Sequence, residues 1–237
     1  MKIPDFPECN HSIVRSLFHY SDQELLTLFQ HHPDDGQYFT AIFCRYSPIV
    51  YTLIRHSARS PVQADYLFAL TWKHIFYELG GLNLPGGDSS EPAGDNSKSS
   101  LTLQSWLINL TALSINQAIL PEVESIHYAL DLASPPLRCY VEQALDRLPA
   151  VQRLMVLMAQ TYHWSETRIA AYLQAEGENM SPAEVRVKLQ EGYQLLEEAL
   201  PEDIRAIYLA DEQPATEPEQ PRQLVSGVSA NANAWEF

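Results

Sequence analysis

Apolar residues recur at spacings of three and four along most of the chain, and this period constrains the fold more than any other feature. In residues 37–58 the apolar positions are Phe39, Ile42, Phe43, Tyr46, Val50, Leu53 and Ile54. An α-helix has about 3.6 residues per turn, so these side chains share one helix face. Glycine is scarce, at 9 of 237 residues, and alternating β-branched residues are rare. The sequence therefore predicts an all-α fold.

Capping residues and helix breakers set the predicted bounds of the helices. Ser21 with Glu24, and Ser181 with Glu184, each form the pattern of a capping box. Pro48 is expected to kink or split the helix 37–58, because proline lacks the backbone N–H. The predicted helices are 21–32, 37–58, 61–79, 101–120, 137–147, a segment after Pro149, 165–173 and 181–200.

Segments rich in glycine, proline and serine divide these helices into two predicted helical domains. The predicted parts are an N-terminal segment 1–20, a domain 21–120 with a flexible loop 80–100, a linker 121–136, a second domain 137–205 and a disordered acidic tail 206–237. Trp235 and Phe237 are unusual in such a tail and are candidates for a docking motif.

The formal net charge of -15 limits the partners that the chain can bind. It opposes non-specific attachment to nucleic acid, because that attachment depends on Lys and Arg contacts to phosphates. The N-terminus lacks the apolar stretch of a secretory signal, and we expect a soluble protein with no membrane partner. Cys9, Cys44 and Cys139 are far apart. This spacing argues against a disulfide framework and a thiolate zinc site, and favours a reducing cytoplasm.

Motifs for catalysis or cofactor binding are not found in the sequence. His31, His32, Asp34 and Asp35 form the densest candidate metal cluster, but adjacent helical residues diverge rather than converge on an ion. The glycines of "LGGLNLPGGD" lack the Gly-Lys-Ser/Thr that binds phosphates, and no G-x-S-x-G elbow is present. We expect no enzymatic activity, no cofactor and no metal.

The order of the helical segments resembles a bacterial sigma-70 family factor of the minimal, extracytoplasmic-function type. "SDQELLTLFQ" to "TWKHIFYEL" is similar to region 2, and "LQSWLINLTALSINQAIL" continues it. "ALDRLPAVQRLMVLMAQTYHWSETRIAAYL" with "SPAEVRVKLQEGYQLLEEAL" is similar to region 4 and its helix-turn-helix.

The resemblance covers residues 21–200. It implies a transcription initiation factor in which region 2 binds the clamp helices of the largest RNA polymerase subunit and captures the melted promoter strand. It also implies that region 4 binds the flap region and reads promoter DNA in the major groove. An anti-sigma protein is a further candidate partner.

The resemblance assigns polymerase binding to residues of the helix 61–79. Asp65 keeps one acid of the family's acidic pair, Tyr66 replaces the other, and Ala69-Leu70 stands where Gln-Glu is usual. Core packing is the simpler interpretation of the aromatic positions Trp72 and Phe76. The candidate polymerase-binding residues are Asp65, Tyr66, Ala69, Trp72 and Lys73.

DNA binding is assigned to two helices, and each assignment has a plain alternative. Asn109, Asn116 and Gln117 occupy positions where the family has basic and Asn side chains, and the usual Arg-Arg that follows is Leu120-Pro121-Glu122. Amides hydrogen-bond base edges but release no counterions. The alternative is that they are solvated surface amides.

The candidate recognition helix carries the family's basic pair as Arg186 and Lys188, and it begins at Ser181, which is a further candidate DNA contact. Glu191 and Glu197 stand where arginines are usual, and the preceding turn, "QAEGENM", is longer than the usual three or four residues. The alternative is an ordinary solvated face. The corresponding alternative function is a sigma-derived interaction module, an adaptor or competitor at RNA polymerase, that no longer reads DNA.

Overall fold

A computed structural model describes residues 3–84, 102–126, 128, 130 and 133–209. All regular elements in these residues are helical, which confirms the all-α part of the predicted fold for the described residues. The α-helices are α1 (Ser12–Arg15), α2 (Asp22–His31), α3 (Gly36–Ser57), α4 (Pro61–Leu79), α5 (Leu103–Gln117), α6 (Pro135–Arg147), α7 (Ala150–Gln160), α8 (Glu166–Ala175), α9 (Pro182–Ala199) and α10 (Glu202–Tyr208). Short 3-10 helices lie at Pro7–Asn10 and Val123–Ser125.

Local signals account for most of these bounds. Both predicted capping boxes, at Ser21 and Ser181, are confirmed. Helix α3 is not split at Pro48 but continues to Ser57. Helix α6 begins at Pro135, two residues before the predicted start, because proline has a helical φ and needs no N–H partner in the first turn.

Two predicted segments fall wholly or mostly outside the described residues. Residues 85–100 of the predicted flexible loop lie outside the described residues. The predicted tail lies outside them from residue 210 onward, and this includes the candidate docking residues Trp235 and Phe237. The described part of the predicted tail is not irregular. Helix α10 extends through its first residues to Tyr208, because Ile204 in that helix is fully buried against the first half.

The core is a cluster of aromatic rings around Trp72 on α4, whose side chain is 0 % exposed. The Trp72 ring centroid lies 4.9 Å from that of Phe43 and 5.9 Å from that of Phe39, both on α3. Phe76 lies 4.8 Å from Phe39. Such edge-to-face pairs add about 0.5–1.5 kcal/mol each beyond the area they bury. The interpretation of Trp72 and Phe76 as core residues is confirmed.

The second half of the chain packs on this same core. Tyr140 of α6 is 1 % exposed, and its ring centroid lies 5.2 Å from that of Phe76. Polar contacts surround the apolar one: the Asp203 carboxylate accepts from the Gln37 backbone N–H at 2.6 Å, and Arg147 pairs with Asp34 at 2.6 Å. The predicted linker therefore joins two halves that share one hydrophobic core.

The N-terminal segment is part of that core and contains a disulfide. Phe6 packs against Phe43 at 4.8 Å between ring centroids, and Cys9 is bonded to Cys44 of α3. The expectation that cysteine spacing argues against disulfides was wrong, because folding places residues 35 positions apart at a Cα–Cα distance of 5.4 Å. Disulfides are rare in reducing compartments. The cysteines therefore give no support to a cytoplasmic location.

Glu8, beside this disulfide, is a buried carboxylate that connects three parts of the chain. The Tyr208 hydroxyl of α10 donates to its Oε1 at 3.3 Å, and Ser134, just before α6, donates to the Tyr208 oxygen at 3.3 Å. Burial raises the pKa of Glu8 above its ordinary value, and these hydrogen bonds offset part of that rise.

Replacing Cys9 and Cys44 with serine should lower the free energy of unfolding by about 4 kcal/mol, because the bond closes a long loop in the unfolded chain. Urea unfolding with and without reductant measures the difference, and reductant alone should reproduce the effect in the wild type. Thiol titration of the unfolded, unreduced protein should find only Cys139 free. Three reactive thiols before reduction would contradict the bond.

Gly36→Ala should destabilise the junction between the two halves. A Cβ atom at Gly36 would lie 2.2 Å from Ile204 Cγ1 and 3.0 Å from the Tyr140 ring. We expect a loss of ~1–3 kcal/mol in unfolding free energy, typical of overpacking. Gly81→Ala is the matched control, because nothing lies within 4 Å of its Cβ position. Equal thermal unfolding of both variants would show that Ile204 does not pack on Gly36.

Candidate functional site

Helices α7, α8 and α9 form a three-helix unit around the candidate recognition helix α9. Gly192 allows α9 to approach α7 closely, since a Cβ there would lie 3.1 Å from Val156 Cγ2. Gln160 of α7 donates to the Tyr193 hydroxyl of α9 at 2.7 Å. Val185, Leu189 and Leu196 form the buried face of α9, at the spacings of four and seven that an amphipathic helix has.

The connection between α8 and α9 spans residues 176–181, longer than the turn of a standard helix-turn-helix. Gly177, at φ +94°, ends α8 in the left-handed conformation that glycine adopts most easily. Its N–H donates to Gln174 O, and the Glu178 N–H donates to Leu173 O at 2.9 Å. This is a Schellman motif, so the long turn has a defined start.

Both basic side chains of α9 are paired with acids of the same unit. Arg186 Nε lies 3.3 Å from Glu166 Oε1 on α8, and Lys188 Nζ lies 2.7 Å from Glu191 Oε2 on α9 itself. The backbone N–H at Glu166 and then the Arg186 guanidinium lower the pKa of Glu166. Arg186 remains 68 % exposed. Any phosphate would compete with these carboxylates for the two cations.

Ser181 caps the N-terminus of α9, and this role limits its use as a DNA contact. Its hydroxyl accepts from the Glu184 N–H at 3.3 Å and donates to the Glu184 carboxylate at 2.7 Å. The side chain is exposed, but its hydrogen-bonding capacity is largely occupied by the cap.

The candidate strand-binding amides lie together on an exposed face of α5. Asn109 and Asn116 are exposed, and they flank Leu113, which is 45 % exposed, at helical spacings of four and three. Gln117 is exposed beside them. The buried face of α5 is formed by Leu103, Leu107 and Thr111. The structure thus brings the three amides to one surface, on a different helix from Arg186 and Lys188.

The candidate polymerase-binding residues of α4 do not share one surface. Ala69 is 2 % exposed and Trp72 is 0 % exposed, so neither can contact a partner in this conformation. Their assignment as contacts is corrected, because both pack into the aromatic core. Tyr66 is half-buried, and Lys73 pairs with Glu142 of α6 at 2.6 Å.

Asp65 accepts a hydrogen bond from the Tyr51 hydroxyl at 2.9 Å. Burial, followed by this bond, raises the pKa of Tyr51 to about 12. Asp65 therefore holds α4 against α3 through a neutral phenol.

Sequence reasoning missed the partners of the cations on α9. The i, i+3 spacing of Lys188 and Glu191 was an available signal. The pair of Arg186 with Glu166 could not be found in this way, because the two residues are 20 positions apart and meet only through the packing of α8 on α9.

Comparisons of the chain with family models, with curated proteins and with solved structures found no match. Within the described ranges, no helix is both long enough and apolar enough to cross a membrane. In the same ranges, no group of three or more His, Cys, Asp or Glu side chains is arranged to hold a metal ion.

Proposed function

We propose that this chain is a sigma-70-like transcription initiation factor that binds RNA polymerase core and directs it to promoters. The observation that carries the proposal is the three-helix unit of α7, α8 and α9, with α9 presenting Arg186 beyond a long turn. This unit follows a helical bundle in the order that the family resemblance implies. In this proposal polymerase supplies part of the affinity for DNA, so that an acidic chain needs few phosphate contacts of its own.

The amide face of α5 supports a division of labour between the two halves. Asn109 and Asn116 can hydrogen-bond base edges of an opened strand, while α9 contacts duplex DNA. Such an arrangement would use two weak contacts held together by polymerase, and binding sites that are linked in this way gain effective concentration.

The ion pairs on α9 favour a second candidate function, a sigma-derived interaction module that no longer reads DNA. Arg186 and Lys188 both have carboxylate partners, and Glu197 and Glu198 add exposed negative charge to the same helix. In this case the chain would act as an adaptor or competitor at RNA polymerase, and an anti-sigma protein would be a further partner.

Both candidates bind polymerase, and Tyr66→Ala tests that shared claim. Tyr66 is the accessible aromatic residue in the assigned part of α4, and aromatic anchors commonly dominate interfaces. We expect purified core polymerase to bind the wild type and to bind the variant about tenfold more weakly, a loss of about 1.4 kcal/mol. The control is Phe18→Ala, which removes an aromatic ring that is 46 % exposed in the connection between α1 and α2.

Biolayer interferometry with immobilised core enzyme measures both affinities. If core polymerase does not bind the wild-type chain, both functions are excluded. If the two variants lose binding equally, α4 is not the contact.

The pair Glu166→Gln with Glu191→Gln separates the two candidates, because it frees Arg186 and Lys188 without altering them. For a DNA reader we expect duplex promoter DNA to be retained more strongly, with a salt slope steeper by up to about two, one for each freed cation. Glu197→Gln with Glu198→Gln removes the same amount of charge, in this case from α9 alone, but frees no paired cation.

Filter retention at several salt concentrations distinguishes the two double variants. Equal slopes would favour the interaction module, since only the general loss of negative charge would then act on DNA.

A further inference from the structure

Three basic side chains at the junction of α3 and α4 have no role in the sites described above. Arg55 and His56 lie in the last turn of α3, and Arg59 lies in the connection to α4. Arg55 is half-buried, whereas His56 and Arg59 are exposed. We call these three residues the basic corner.

The basic corner differs from most other cations of the protein in its lack of acidic partners. The described Lys and Arg side chains that form ion pairs with carboxylates are Arg45, Lys73, Arg138, Arg147, Arg153, Arg186 and Lys188. Across the described ranges, neither Arg55 nor Arg59 forms such a pair. In a chain of net charge -15, this corner holds two arginines that are close in sequence and make no ion pair within the described ranges.

Helix capping accounts for only part of this cluster. Arg55 and His56 can interact favourably with the negative end of α3, which is worth about 0.3–1 kcal/mol at an exposed helix end. Arg59 lies beyond that helix, so its charge has no such explanation. The two arginines remain available to an anion.

The fold places the basic corner at the same end of the bundle as the amides of α5. Helix α4 is antiparallel to α3, because Phe39 packs on Phe76 at one end and Tyr51 bonds Asp65 towards the other. Gln63, in the first turn of α4, donates to the Pro121 carbonyl just beyond α5 at 3.1 Å. The last turn of α5, with Asn116 and Gln117, is therefore at the end of the bundle that carries the corner.

Two exposed apolar side chains lie on α5 or just beyond its end. Ile119 is 96 % exposed, and Leu113 is 45 % exposed between Asn109 and Asn116. Unpaired bases offer apolar faces and hydrogen-bonding edges together, whereas duplex DNA presents mainly phosphates and sugars outside its grooves. The combination of amides, apolar side chains and adjacent cations suits an unpaired strand.

We infer that the basic corner binds the phosphate backbone of single-stranded DNA whose bases lie on the α5 face. Arg55 and Arg59 supply the phosphate contacts that α5 lacks, since Leu120-Pro121-Glu122 follows it in place of two arginines. Glu122 and Glu124 lie just past Pro121 and oppose phosphate there. The inference rests on the proposed function in taking α5 as the strand-binding helix.

The test is the binding of a fluorescein-labelled single-stranded oligonucleotide of about 15 nucleotides to the full chain, followed by fluorescence anisotropy. Arg55→Gln with Arg59→Gln should weaken binding at least about tenfold at ~50 mM salt, and should reduce the salt slope by about 1.4, or 0.7 for each lost phosphate contact. Arg59→Gln alone, outside any helix, should reduce the slope by about half as much. Glu122→Gln with Glu124→Gln should strengthen binding.

The matched control is Arg153→Gln with Arg168→Gln, which removes two positive charges from α7 and α8, away from the corner. It should change the affinity less than about twofold, because long-range electrostatics are screened at this ionic strength. Equal loss in both double variants, or no binding by the wild type at ~50 mM salt, overturns the inference.

Core polymerase binding is measured separately on the same variants and distinguishes the two failures. If the wild type does not bind the strand, or if both double variants lose it equally, while polymerase binding stays intact, the basic corner is rejected and the proposed function stands. Strand binding through the corner by a chain that does not bind polymerase rejects the proposed function and leaves the corner as a nucleic-acid site.

Discussion

The burial of Tyr140 against Phe76 is the contact on which the arrangement of the molecule depends. It brings α6 onto α4, and with it the three-helix unit that follows α6 in the chain. Ile204 adds a second contact to α3 at a position where only glycine fits. Because these side chains are almost fully buried, the two halves contribute to one core, and their relative position is fixed by packing rather than by the length of the linker.

The acidic side chains of this protein act locally, by pairing with nearby cations. Most described cations have carboxylate partners, and on α9 these acids neutralise the two cations for which the resemblance implies phosphate contacts. Exposed pairs of this kind stabilise a fold by only about 0–1 kcal/mol. Their main effect is on what the surface can bind, because an incoming anion must displace a neighbouring carboxylate first.

The sequence was informative where the determinant was local. Helical periodicity, the capping boxes at Ser21 and Ser181, and the buried face of α9 all depend on residues within a few turns, and they could be predicted. Three contacts could not be predicted: the disulfide of Cys9 with Cys44, the ion pair of Arg186 with Glu166, and the packing of Ile204 on Gly36. Each joins residues distant in the chain, and the spacing of such residues carries no information about their distance in space.

Helix α6 covers one end of α4 and so limits the access of any partner to that helix. Glu142 and Tyr140 occupy the surroundings of Lys73 and Phe76, so a protein that needs this stretch must compete with the chain's own second half. The apparent affinity of that protein for α4 would equal its intrinsic affinity multiplied by the fraction of molecules in which α6 has moved away. Occupancy of α4 would then be governed by an internal equilibrium as much as by the concentration of the partner.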